Sequence, residues 1–430
     1  MADSKKKLSG KAWVVAVDMG YGHQRAAFPL KELAPQKEIV NANNYPEIPE
    51  KDRQIWHNSK KYYDLISRFR RMPVIGKIVF GVFDWFQRIK DFYPKRDLSK
   101  PSFQLKQNFS FISKGWGKDL VDRLKERKLP IISTFFTPAF MAEFFSYPKE
   151  IYCLLCDTDA SRAWAPLNPR ESKIKYLAPT VRAAERMKLY GVKPENIFLT
   201  GFPLPPENIG GKDLSVLKED LKNRLLNLDP EKRYFKMYKP LIEKYLGKMP
   251  VVSDHPLTLM FAVGGAGAQK ILGIKIVRSL ANKIKRGEIK MILVAGIRRE
   301  VKDYFERELD KLGIEKNVEI IFEEKINDYF EKFNLALRKT DILWTKPSEL
   351  SFYSALALPI IIAPPIGSQE KFNKNWLLRS GFGIAQENPK HTSQWLFYWL
   401  KRGYLAECAM EGFIEGEKMG VLNIQKICSG

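Results

Sequence analysis

The sequence predicts an α/β protein made of two similar halves, and three observations carry that prediction. Two glycine turns, Gly20-Tyr-Gly-His23 and Gly264-Gly-Ala-Gly267, lie more than half the chain length apart, and each follows a short apolar strand and opens a helix-compatible stretch. Apolar strands alternate with helical segments after both turns, the rhythm of parallel sheets. The chain has 430 residues, 45% of them hydrophobic, enough to bury a core in each half. A strand, a glycine turn and a helix gather backbone N–H groups and a positive dipole end at one point, which suits an anion. Two such units predict two Rossmann-like domains facing across a cleft.

The elements follow in order. Residues 1–11 read as a basic leader, Trp13 to Val17 as the first strand, Arg25 to Leu33 as a helix and Glu38 to Ala42 as a second strand. Residues 50–128 form a long basic, aromatic insertion. Ile131 to Phe135, Ile151 to Cys156, Lys175 to Ala178 and Asn196 to Thr200 read as strands, with helices over Pro138 to Phe145 and Val181 to Tyr190. Gly201-Phe-Pro-Leu-Pro-Pro206 marks a boundary, since glycine and prolines directly follow a strand. The first domain is therefore expected over 1–206. A charged helical connector spans 214–246. Leu259 to Val263, Met291 to Ala295, Val318 to Phe322, Asp341 to Trp344 and Ile360 to Ala363 then repeat the strand rhythm in a second domain over 207–393. Residues 394–430 read as helical and are expected to pack back on the first domain.

The formal net charge of +23 points to an anionic partner, a membrane or a nucleic acid. The excess is local: residues 51–128 hold 20 Lys/Arg against 8 Asp/Glu. Four cysteines are too few for a disulfide scaffold, and Cys153 and Cys156 on one strand point to opposite faces, so no shared metal is expected. No secretory signal or spanning segment is read, so membrane contact is expected to be peripheral.

Several residues can carry chemistry. His23 follows the first glycine turn, where side chains project from the carboxyl end of a strand into the crevice that binds α/β ligands, and imidazole takes up a hydroxyl proton near neutral pH. Asp157 and Asp159 share a face of an extended segment, so either can orient His23, bind hydroxyls or act as the base. The Gly20-Tyr21-Gly22 turn can seat an acceptor or phosphate. Gly264, Gly265, Ala266, Gly267, Ala268 and Gln269 open the second half without matching a nicotinamide-binding or P-loop pattern, yet still suit a diphosphate at a helix start.

Taken together, these segments resemble GT-B glycosyltransferases of the monogalactosyldiacylglycerol synthase, processive diacylglycerol glucosyltransferase and lipid II N-acetylglucosaminyltransferase group. The stretch Gly20-Tyr-Gly-His-Gln-Arg-Ala-Ala27 is similar to its G-x-G-H-x-x-A-A turn. Asp157 to Pro166, lacking the histidine, resembles its T-D-x-x-x-H-x-x-W-x-x-P element, and Tyr190 to Pro203 its G-V-x-x-x-x-I-x-x-x-G-x-P crossover. Phe261 to Gln269 resembles its phosphate loop, and Thr345-Lys346-Pro347 with Gln369, Glu370 and Asn373 its donor segments. The resemblance implies a UDP-sugar donor held by the second domain through Gly265, Ala266, Gly267, Lys346, Gln369, Glu370 and Asn373. It implies a direct inverting displacement with no metal and no cofactor, and an acceptor hydroxyl at His23 with Asp157 or Asp159. Two departures stand out: Ser348 and Glu349 replace the two glycines after Lys-Pro, and Ser354 stands near the family's ribose-binding glutamate.

In the insertion, bulky apolar residues including Phe83, Trp85 and Phe86 recur at helical spacing, with Arg70, Arg71, Lys77 and Arg88 around and between them. Aromatics beside cations suit a helix lying on anionic lipid; nucleic acid is disfavoured because no recognition motif is present. The expected protein is a hexosyltransferase peripheral on the cytoplasmic face of the membrane, using a nucleotide sugar and a lipid acceptor. The alternatives are a soluble nucleotide-sugar epimerase of the same fold and a non-catalytic relative acting as a membrane-binding module.

Overall fold

The computed structural model describes residues 11–69, 89–264, 267, 269–314, 316–365 and 367–429. The chain forms two compact units, one of Met1–Pro203, Gly367–Gln369 and Met419–Gly430, the other of Leu204–Ile366 and Glu370–Lys418. The division falls just before the expected 206, and residues 394–418 stay with the second unit; only the chain from Met419 on joins the first.

The first unit carries strands β1 (Trp13–Ala16), β2 (Val40–Asn41), β3 (Ile131–Ser133), β4 (Ile151–Leu154), β5 (Lys175–Ala178) and β6 (Ile197–Leu199) in the order β2-β1-β3-β4-β5-β6. All neighbours are parallel, and β3 and β4 are buried throughout, as expected of strands covered on both faces. Helix α1 (Tyr21–Ala27) begins four residues earlier than expected and then tightens into a 3₁₀ turn over Phe28–Leu33. Pro29 explains the change, since it lacks the N–H that would continue an α-helix. Within 50–128 the described helices are α2 (Glu50–Phe69), α3 (Phe103–Ser113) and α4 (Lys118–Lys125). Helices α5 (Phe136–Phe144) and α6 (Val181–Leu189) connect the later strands.

The second unit opens with α7 (Ser215–Leu228) and α8 (Arg233–Leu246), the expected single connector broken at Asp229-Pro230. Strands β7 (Thr258–Ala262), β8 (Lys290–Gly296), β9 (Val318–Phe322), β10 (Ile342–Thr345), β11 (Ile360–Ile362) and β12 (Gly383–Ala385) form a second parallel sheet in the order β12-β11-β10-β7-β8-β9. Helices α9 (Lys270–Lys285), α10 (Arg299–Leu312), α11 (Ile326–Leu337), α12 (Ser368–Arg379), α13 (Thr392–Arg402) and α14 (Tyr404–Glu415) accompany it. These are two Rossmann-like units in tandem.

The last helix, α15 (Gly420–Ser429), completes the first unit. The Asn423 amide donates to the Thr200 carbonyl at 2.9 Å, and the Ile427 carbonyl accepts from the Tyr152 hydroxyl at 3.2 Å.

At the amino ends of β7 and β10 lies a charged cluster that the sequence reading missed. Nε2 of His255 is 3.1 Å from Oδ1 of Asp341, and Nδ1 is 2.5 Å from Oδ1 of Asp254. Carboxylates accept, so both ring nitrogens donate and the ring is an imidazolium. Burial pushes its pKa down, but the hydrogen bonds and charges of Asp341 and Asp254 outweigh that and raise it above 6.5. Asp341, fully buried, also accepts from Asn227 of α7 and the Thr258 amide.

Candidate functional site

In each sheet the first strand of the unit sits where the strand order reverses, between β2 and β3 in one case and between β8 and β10 in the other. Ligands of open α/β sheets bind outside the carboxyl ends of the strands at that reversal. Both glycine turns leave these first strands. Each site is therefore built from one turn after the first strand and one after its crossover neighbour.

In the first unit the two neighbours are β1 and β3, in register through Val15 and Ser133. Gly20 turns the chain at φ +107°, and His23 falls in the first turn of α1. Its Nδ1 lies 2.8 Å from the carbonyl of Thr134, the residue that follows β3. A carbonyl only accepts, so Nδ1 carries the proton and, in the neutral ring, Nε2 carries the lone pair. Thr134 is itself fixed, its amide donating to the Val15 carbonyl at 2.9 Å. The Cys156 thiol donates to the same Thr134 carbonyl at 3.3 Å. Phe135 and Trp164 wall the imidazole, with ring centroids 4.8 and 6.1 Å away. Trp164 is held by a loop that Arg162 ties to the carbonyls of Ser99, Ala165 and Pro166; burial pulls that guanidinium down to about 10. Tyr21 is buried beneath the turn, and Gly22 lies in α1.

The two aspartates do not act alike. Asp157 is half-buried in the loop after β4. Asp159 corrects the expectation of a base: it is 1% exposed and its oxygens accept from Arg186 at 2.8 and 2.9 Å and from Arg182 at 3.0 Å. Its Oδ1 also accepts from the Ala160 amide. A carboxylate so enclosed has no face for a substrate. It anchors α6 and the loop that carries Asp157. Phe92 completes this knot, with the Arg182 guanidinium 3.7 Å above its ring centroid. Cys153 is buried, which pushes its thiol far up, and among the described residues no acidic, His or Cys cluster can hold a metal ion.

In the second unit the neighbours are β7 and β10, in register through Ala262 and Thr345. Gly267 closes a tight turn, its amide donating to the Gly264 carbonyl at 2.7 Å with φ +66°. Helix α9 starts just beyond it. Lys346, the residue after β10, crosses directly over Gly264: a Cβ there would stand 2.4 Å from the lysine Cε and 3.4 Å from its ammonium. Glycine at 264 is thus what lets an ammonium lie against the turn. That ammonium pairs with Oε1 of Glu370 at 2.5 Å, the two side chains 23% and 12% exposed. Gln269 donates from Nε2 to the Pro364 carbonyl at 3.1 Å. Asn373, fully buried, donates to the Pro347 carbonyl and so ties α12 to the Lys346-Pro347 turn. Glycine turn, Lys346, Glu370 and Asn373 thus come together.

The remaining expected residues fall as follows. Ser348 and Glu349 begin a 3₁₀ turn over Glu349–Leu356, with the Ser348 amide donating to the Lys346 carbonyl. Ser354 lies inside that turn, fully buried, its hydroxyl donating to the Ser351 carbonyl and its own carbonyl against Gly412 of α14. Position 354 therefore presents nothing to a ligand, and Glu349 is the half-buried carboxylate of this segment. Gln369 groups with the first unit. Gly265, Ala266, Ala268 and the insertion residues Arg70, Arg71, Lys77, Phe83, Trp85, Phe86 and Arg88 lie outside the described residues. Sequence reasoning gave Thr134 no role beyond its strand and placed Thr345 only within the donor segment. Each follows an apolar strand run, and their hydroxyls donate to the Val15 and Ala262 carbonyls at 3.4 and 3.3 Å, one interaction used twice.

A family model described as a domain of unknown function (DUF6938) matches residues 250–328. The processive diacylglycerol beta-glucosyltransferase of Bacillus subtilis (strain 168) is 22% identical over 286 residues, covering 65% of this chain and 63% of the relative. The chain thus spans less than two thirds of that relative's length. This chain resembles the glycosyltransferase group. Among solved structures, UDP-GlcNAc 2-epimerase from Neisseria meningitidis bound to UDP-GlcNAc aligns over 82% of this chain and 88% of that one, at 13% identity and a TM-score of 0.45. MurG of Acinetobacter baumannii aligns over 76% and 77%, at 12% identity and a TM-score of 0.43.

Proposed function

We propose that this protein is an inverting glycosyltransferase that moves a hexose from a UDP-sugar to a lipid or lipid-linked hydroxyl at the cytoplasmic membrane surface. The observation that carries the reading is the Nδ1–H bond from His23 to the Thr134 carbonyl, which leaves Nε2 as the proton acceptor at the strand-order reversal. His23 would take the proton of the acceptor hydroxyl as its oxygen attacks the anomeric carbon. The bond from that carbon to the diphosphate breaks, and UDP departs with the bonding pair. The α9 start and Lys346 would receive its charge, the role a divalent cation plays elsewhere, so the proposal needs no metal. Glu370 then exchanges the lysine for sugar or ribose hydroxyls, with Gln369 and Glu349 as further acceptors. Asp157, the half-buried carboxylate after β4, would bind the acceptor beside His23.

The test supplies the full chain with UDP-glucose, UDP-galactose or UDP-N-acetylglucosamine and a bacterial lipid extract, and measures UDP release. Release is expected only with lipid present. His23→Ala should slow it about 10²- to 10⁴-fold with UDP affinity unchanged by calorimetry. UDP binding with no turnover of any sugar would make the chain a binding module. A sugar epimer formed without lipid would make it an epimerase.

A further inference from the structure

A second basic surface lies in the second unit, away from the glycine turn. Arg233 and Lys236 in the first turns of α8, and Lys401 and Arg402 in the last turn of α13, line one open depression together with Glu231 and Met237. Among the described residues none of the four cations makes an ion pair with a carboxylate.

Two features show that the cations are gathered rather than scattered. Cations at the end of α13 suit the helix dipole, but cations in the first turn of α8 oppose it, and no acidic residue stands there. Asp229, just before α8, is committed to the backbone amides of Arg233 and Phe235 at 2.8 Å each, which leaves Glu231 as the one carboxylate in the lining. The turn joining α13 to α14 then presses onto the start of α8. Gly403, at φ +74°, has no Cβ where one would meet the Tyr234 Cβ at 3.1 Å. That approach sets two basic pairs side by side with a single carboxylate among them, and the surplus positive charge favours a further anion. The Arg402 guanidinium and the Tyr398 hydroxyl beside Tyr404 hold its phenol below the ordinary range, as the local positive field requires.

The rim decides the anion. Met237, Tyr238, Tyr398 and Tyr404 are 64%, 40%, 55% and 37% exposed. A thioether and phenols around a shallow cationic surface match the headgroup level of a bilayer. Nucleic acid would want flat stacking platforms, whereas the Tyr398 and Tyr404 rings meet at 80°. We propose that this depression docks on an anionic phospholipid membrane. The inference rests on the reading above only in its choice of a lipid surface, and its residues take no part in the proposed chemistry.

The experiment uses the full chain and vesicles of phosphatidylcholine with or without phosphatidylglycerol. The variant Arg233→Ala/Lys236→Ala/Lys401→Ala should lose about a hundredfold in partitioning to the anionic vesicles, near fivefold for each cation removed. Its UDP affinity should match that of the parent, which separates this result from failure of the enzymatic reading. A second variant, Met237→Ser/Tyr398→Ser, keeps the charge; it should bind anionic vesicles more weakly with an unchanged dependence on salt. The proposal falls if the triple variant partitions like the parent. It falls equally if that variant loses a single-stranded RNA oligonucleotide while its vesicle binding persists.

Discussion

The two strand-order reversals use one plan with different side chains. In each, a threonine stands at or just after the end of the crossover neighbour and its hydroxyl reaches the first strand's carbonyl. The first unit then presents an imidazole oriented by a backbone carbonyl, a group suited to moving a proton. The second presents an ammonium laid across a glycine turn, a group suited to fixed negative charge. A shared scaffold thus sets the location, and the residue beside the turn sets the chemistry.

The comparison can be broken at its buried carboxylates, where the largest effect is expected. Asp159→Asn would leave Arg186, which is 0% exposed, without its countercharge. Urea unfolding should show a loss of about 4 kcal/mol. If stability held while turnover vanished, Asp159 would be a base after all and the two units would differ less than described.

The second unit keeps its buried carboxylate at the far end of the strands, bound to His255. His255→Gln should cost about 3 kcal/mol at pH 6. The folded-state pKa of His255 is raised above 6.5, so its contribution is complete below pH 6.5 and lost as pH rises through the folded value. The parent's melting temperature should therefore fall from pH 6.5 upward, and the variant should lack that fall. A parallel decline in both proteins would remove His255 from the account.

The smallest effect sharpens the second turn. Gly264→Ala should push the lysine tail aside at little cost to melting temperature, because the clash is with a flexible end. UDP affinity, read by calorimetry, should drop about tenfold, the worth of one charge-assisted contact. Unchanged affinity would separate Lys346 from the donor.

Much of this was legible in the sequence because it is local. Lys175–Ala178 and Val318–Phe322 coincide with the expected strands, since apolar and aromatic residues dominate both short runs even where, as in Val318–Phe322 at the sheet edge, most of the strand is only half-buried. Gly383–Ala385 is too short and too rich in small residues to announce itself. Asp159 misled for another reason: its spacing from Asp157 fits a shared face, but its partners lie 23 and 27 residues on, in another helix. His255 and Asp341, 86 positions apart, leave no periodic trace at all. The site residues next to glycine turns were readable; those defined by distant partners were not.

The return of α15 to the first unit has a consequence for synthesis. The Thr200 and Phe202 carbonyls meet residues that follow the second unit in sequence, so the first unit cannot be completed until the second has been synthesised. Trimming the final dozen residues should therefore injure the domain that the opening residues build.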